Sequence, residues 1–398
     1  MARLNPELIS TPCGMRLVHI HDRGAAAGIF GLAIGAGSAS ETDGEDGLAH
    51  FVEHTIFKGT QRRSSWHIIN RMEAIGGELN AYTSKEETVV YSIFPGANAA
   101  RAVELIADLA ENSQFPDREL DKERQVVLDE IASYLDNPAE AIYDLFEEKL
   151  LAGTPLAHNI LGSTETVGRL GSADCRAFLA RHYTKNNSVA FYSGPQGANV
   201  IAALVDRYFA ALGTGTPADT ATDAKIDIPR FDIADPQPCH QAHVLAGIRT
   251  PGLYSPERYA VALNVELREK RGLVYNVEAS TAFFRSAGYM GVYFGCDADD
   301  TDRCRHLCEG VFRRLADGTF LTERRLRAAK KQYLGQLAVA SENRENSVIN
   351  AARATLFYGR PVSYAETEVS IRSVTATRIA AEASAFAEAS VLAFIPED

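Results

Sequence analysis

Apolar residues recur along this chain with two different periods, and the period decides which element each stretch forms. Steps of three and four, the spacing of one helical face, run through 48–57, 66–75, 99–112, 117–135, 198–212, 302–315 and 322–341. Strand-like patterning marks 14–21, 28–35, 87–94, 243–248 and 288–296, with the clearest alternation in ETVVYSIF. Gly59 and the pair Gly76 and Gly77 stop two of the helices, and Pro116 and Pro138 bound the long one. Strands and helices mix without the regular rhythm of a parallel sheet, so the expected class is α+β.

One stretch breaks the pattern. GTGTPADTATDAK (213–225) is small, polar and poor in large apolar residues, as a linker is. The halves on either side have similar length and grammar. This predicts two domains, 1–212 and 240–398, joined through 213–239 and related by an internal duplication. The chain length of 398 residues, too long for one compact core, agrees.

Composition narrows the function classes. A net charge of -12 lacks the basic footprint of a nonspecific nucleic-acid binder. The first residues show no basic start followed by an apolar core, and the small, apolar run 25–40 is too short and too glycine-rich for a membrane span. A cytoplasmic protein with no membrane contact is expected. The six cysteines form no CxxC pair, so reduced thiols are expected. Cys304, His306 and Cys308 resemble a metal cluster only in one dimension. On a helix the two cysteines share a face and the histidine points elsewhere, so buried small hydrophobes are the simpler reading.

The candidate chemistry lies in HFVEH. His50 and His54 are one helical turn apart and converge on one side, with Glu53 beside them. Neutral imidazoles suit zinc, and a neighbouring carboxylate can take a proton from metal-bound water. HxxEH is also the inverted form of the HExxH zinc-protease motif. A polar surface on an ordinary helix is the alternative. A catalytic zinc needs a third protein ligand. In 116–138, Leu120, Glu123, Val127 and Glu130 follow 3,4,3 spacing and share one face. Either a cation sits opposite these two carboxylates, or both reach solvent at the edge of the stripe.

Four motifs in order, GLAHFVEHTIFKGT (47–60), GGELNAYTSKEETVVY (76–91), ERQVVLDEI (123–131) and LREKRGLVY (267–275), resemble the pitrilysin family of zinc peptidases. Within it they are most similar to short bacterial members that resemble the mitochondrial processing peptidase. The resemblance implies two similar domains, each an antiparallel-rich sheet packed with helices. It implies one zinc per chain held by His50, His54 and, 76 residues further on, Glu130. Glu53 is implied as general base, and Glu123 as a supporting carboxylate that orients a ligand or holds local charge. Arg268 and Tyr275, with Arg271 as the alternative arginine, are implied at the substrate carbonyl, although the stretch before Arg268 is shorter than in those relatives. Asn80 and Ala81 are implied at the substrate backbone, along an edge strand that adds an extended peptide. A homodimer enclosing a chamber for unfolded peptides follows, with Arg268 and Tyr275 completing the partner's site. The same fold also serves as a non-catalytic core subunit or a peptide-binding subunit.

Overall fold

The computed structural model describes residues 5–216, 229–268 and 277–397. The first half runs β1 (Glu7–Ser10), β2 (Arg16–His21), β3 (Ala27–Ile34), α1 (Leu48–Thr55), α2 (Ser65–Glu73), β4 (Glu78–Thr83), β5 (Thr88–Pro95), α3 (Ala99–Asn112), α4 (Asp117–Leu135), α5 (Pro138–Leu150), α6 (Thr164–Arg169), α7 (Ser172–His182), β6 (Ser188–Gly194) and α8 (Ala198–Tyr208). The second runs β7 (Asp232–Gln237), β8 (Ala242–Thr250), α9 (Arg258–Arg268), β9 (Val277–Phe283), β10 (Gly288–Cys296), α10 (Thr301–Ala316), α11 (Glu323–Ala340), α12 (Arg344–Tyr358), α13 (Tyr364–Ser373), α14 (Ala376–Ala385) and β11 (Ser390–Pro396).

These strands make two sheets, ordered β1-β2-β6-β3-β5-β4 and β7-β11-β8-β10-β9. Apart from the extra edge strand β1, the two follow one plan. The first strand of each half pairs in parallel with the last, and every other pairing is antiparallel. The repeated order supports the duplication expected from the sequence. β7 falls inside the stretch expected to be linker. Its proline is tolerated because β7 is an edge strand. Residues 217–228 of that stretch lie outside the described residues.

The chain divides into two compact units that are not continuous in sequence. One takes Met1–Ile131, His158–Asp219 and Ala340–Ser363, and the other takes Ala132–Ala157, Thr220–Val339 and Tyr364–Asp398. This differs from the contiguous division at 212 and 240. The reason is two exchanged helices. In the first unit α1, α2, α3, α4, α7 and α8 bury one face of the sheet. Its other face carries Val18, Ile29, Val89 and Phe191, and α12 covers it with Val348, Ile349, Ala351 and Ala352. In the second unit α9, α10, α11, α13 and α14 bury one face. The other, with Leu245, Tyr289, Leu392 and Phe394, is covered by Ile142, Phe146 and Leu150 of α5. Each exchanged helix removes from water an apolar sheet face that its own half of the sequence leaves bare.

Candidate metal centre

α1 is buried almost all round: Leu48, Ala49, His50, Phe51, Val52 and Thr55 are all inside. Its first turn has no side-chain cap at Gly47. Instead the remote carboxyl group of Glu41 accepts from the backbone N–H of Gly47 (3.1 Å) and of Ala49 (2.8 Å). Its oxygens satisfy two of the orphan donors at the helix N-terminus. Gly47 has φ 85°, and a Cβ there would lie 2.6 Å from the Leu161 carbonyl oxygen, so only glycine fits.

α4 lies alongside with Leu120, Val127 and Ile131 buried and the two carboxylates on the same stripe. Glu130 Oε2 is 3.8 Å from His50 Nε2 and 3.5 Å from His54 Nε2. The ligand atoms of His50, His54 and Glu130 all lie within 4.8 Å of one another, the one such group found among the described residues. Donors about 2.0–2.1 Å from a tetrahedral zinc sit roughly 3.3 Å apart, so this spacing fits the ion with little adjustment. Burial, then the neighbouring His54, pushes His50 down to about 4, so its ring is neutral with a lone pair to give. Three protein donors leave a fourth position open, the pattern of a catalytic rather than a structural zinc. The Glu130 side chain is 43% exposed, so the group opens on that side.

Glu123 faces the other ring nitrogen of His54 from Glu130. Its Oε2 is 3.5 Å from His54 Nδ1, while its Oε1 takes the Lys58 ammonium at 2.6 Å. A carboxylate on the far nitrogen of a ligating imidazole sets its tautomer and orientation. Lys58 was not singled out in the sequence. The signal was its place four residues after His54, on the same helical side.

Glu53 is held from the sheet. Burial raises the proton affinity of its carboxylate against the pull of His54 and of Thr83. Thr83 ends β4, an edge strand paired only with β5 among the described residues. Ser84 N–H bonds the Glu87 carbonyl, so the ladder alternation turns the main chain of Ala81 and Thr83 towards the open edge. Asn80 and Ala81 are both half-buried there. Arg268 is the last residue of α9, but its side chain, Arg271 and Tyr275 lie outside the described residues. Cys304 and Cys308 are buried in the second core, whereas His306 Nδ1 faces the Asp302 carbonyl of its own helix at 2.6 Å.

A metal-ready triad on two helices, a carboxylate beside it and an open strand edge define a zinc-peptidase type of site. Residues 16–164 match the family "Insulinase (Peptidase family M16)", and residues 169–333 match "Peptidase M16 inactive domain". A protein of Mycobacterium tuberculosis named as an uncharacterized zinc protease is 31% identical, over 96% of this chain and 91% of that one. Subunit 1 of the mitochondrial cytochrome b-c1 complex of Bos taurus is 26% identical, over 87% and 76%. The solved structure of a protease from Helicobacter pylori superposes with a TM-score of 0.88 at 17% identity, covering 99% of this chain and 100% of that one. The chain belongs to peptidase family M16, the insulinase family. No helix among the described residues is long and apolar enough to cross a membrane.

Proposed function

We propose that this chain is a zinc-dependent endopeptidase that cuts unfolded peptides. The observation that carries the reading is the convergence of His50, His54 and Glu130, with Glu53 beside them, under the open edge of β4. His50, His54 and Glu130 would hold the zinc, which when bound polarises a carbonyl and makes water nucleophilic near neutral pH. Glu53, its proton affinity raised by burial, takes the proton of the attacking water and returns it to the leaving amine. Glu123 keeps His54 turned towards the site, and Lys58 balances the charge of Glu123. Ala81 offers its main chain to an extended substrate and Asn80 lies beside it, so selectivity is broad. Arg268 and Tyr275 donate to the substrate carbonyl, each from the partner in a homodimer that encloses the peptide.

A second reading has one observation in its favour: a relative over most of the chain is a respiratory-complex subunit. Metal analysis beside cleavage of a quenched, unstructured peptide library separates the two, with wild type run against Glu53→Gln. The peptidase reading expects one zinc per chain in both proteins and cleavage in wild type alone. Neither zinc nor cleavage in wild type would leave the subunit reading standing.

A further inference from the structure

A peptide laid along β4 meets two different faces. Ala81 pairs with Val90, and Leu79 and Ala81 pack into the core that α1 and α4 share. Tyr82 pairs with Val89 and Asn80 with Tyr91, and Tyr82, Val89 and Tyr91 belong to the cluster that α12 covers. Side chains of an added strand alternate in the same way. Every second one therefore turns away from the metal group and towards α12.

That face is charged, and the charge changes sign along it. The Tyr82 hydroxyl lies 3.5 Å from Glu87 Oε1, and the same oxygen pairs with Nε of Arg353 from α12. The carboxylate is buried beneath, with 1% of its side chain exposed, whereas the Arg353 side chain is 44% exposed. A guanidinium has five donors, and one carboxylate oxygen does not use them up. Opposite Asn80 the sign reverses. There Glu345 of α12 accepts from the Tyr91 hydroxyl at 2.5 Å. Glu78, two residues further along β4 on the same side, is exposed.

We infer that Arg353 sets a charge preference in the substrate: it favours an acidic side chain, Asp or Glu, at the one residue that lies opposite Tyr82. A substrate carboxylate there takes the outward donors of the guanidinium. Opposite Asn80 the same side chain meets Glu345 and gains nothing. The preference is thus tied to register rather than to overall charge, and it acts within the broad selectivity that main-chain pairing gives. The inference rests on the peptidase reading for the place of the peptide on β4.

The test uses one cleavable, unstructured peptide in which a single glutamate or glutamine is moved through each position flanking the cut. kcat/KM is measured for the Glu and Gln forms with zinc-loaded wild type, Arg353→Lys and the double variant Glu87→Gln/Arg353→Gln. The double variant removes the cation without leaving a buried carboxylate unpaired. Wild type should prefer Glu over Gln about fivefold at one position, the size of a half-screened ion pair, and not at the positions two residues away. Added salt should lower that ratio. Arg353→Lys should keep most of it, and the double variant should abolish it. A ratio near unity at every position in wild type overturns the inference, and so does a ratio that survives in the double variant. If wild type holds no zinc and cuts nothing, the peptidase reading fails. Binding of the same peptides, fluorescein-labelled, to the zinc-free protein then decides, and equal or undetectable affinities for the Glu and Gln forms overturn the Arg353 preference.

Discussion

Lys58, Glu123 and His54 form a short relay of charge behind the candidate metal position. Removing the cation with Lys58→Met frees Glu123 to swing away from His54. Zinc affinity is expected to fall about 10–100-fold with the fold intact, read by competition with a coloured chelator. Direct changes act more strongly. His50→Ala should lose both bound zinc and cleavage, while Glu53→Gln should keep zinc and lose about 10²–10⁴ in kcat. Glu41, which caps α1, adds a pH dependence. Its carboxyl is pushed up to about 9, chiefly by burial, with the N–H groups of Ala49 and Gly47 opposing. The native state then binds more protons than the unfolded chain between about 4.5 and 9, so the stability Glu41 contributes is complete below that window and lost as pH rises through it. Thermal midpoints should fall between about pH 5 and pH 9, and fall less steeply in Glu41→Gln.

At the level of elements, the exchanged helices are tied down by polar contacts as well as by apolar faces. α12 is bound through Arg344 to Asp22, Glu345 to the Tyr91 hydroxyl (2.5 Å) and Arg353 to Glu87, and α5 through Glu147 to the Tyr289 hydroxyl (2.6 Å). Glu87 is 1% exposed but Arg353 is 44% exposed, so the pair is screened on one side. Arg353→Met leaves the Glu87 carboxylate buried and unpaired. It should cost about 2 kcal/mol, below the range for fully buried pairs, and adding Glu87→Gln should restore part of it in urea unfolding. These ties also mark where the sequence stops being readable. α1 and α4 carry their own 3,4 spacing, so both helices and all four of His50, His54, Glu123 and Glu130 stand out along the chain. β6 and β11 do not: SVAFYSG and SVLAFIP are buried on both faces, and a continuous apolar run has no period to detect. The destination of α5 and α12 is a pairing across some two hundred residues, which no local pattern encodes. Thr83 is likewise an ordinary residue until the fold sets it near Glu53.

For the whole molecule, a homodimer with shared sites makes a specific prediction. A Glu53→Gln chain and a Tyr275→Phe chain, each impaired alone, should regain activity when mixed and allowed to exchange, because one site of the mixed dimer has every group intact. Unchanged activity in the mixture would mean that each chain completes its own site. Zinc should also protect the fold. The apolar cores do not need it, so the chelated protein should stay folded while its midpoint falls, by about 3–4 kcal/mol of binding free energy at 100–1,000 times Kd. The exchange of α12 has a further consequence, for synthesis on the ribosome. The histidines and glutamates of the metal group are made within the first 130 residues, but the far face of their sheet is not covered until Tyr358 has left the exit tunnel. A nascent chain therefore carries the complete ligand set long before it has a finished first unit. On the proposed peptidase reading, the order in which its parts are translated would hold off cleavage by an unfinished polypeptide.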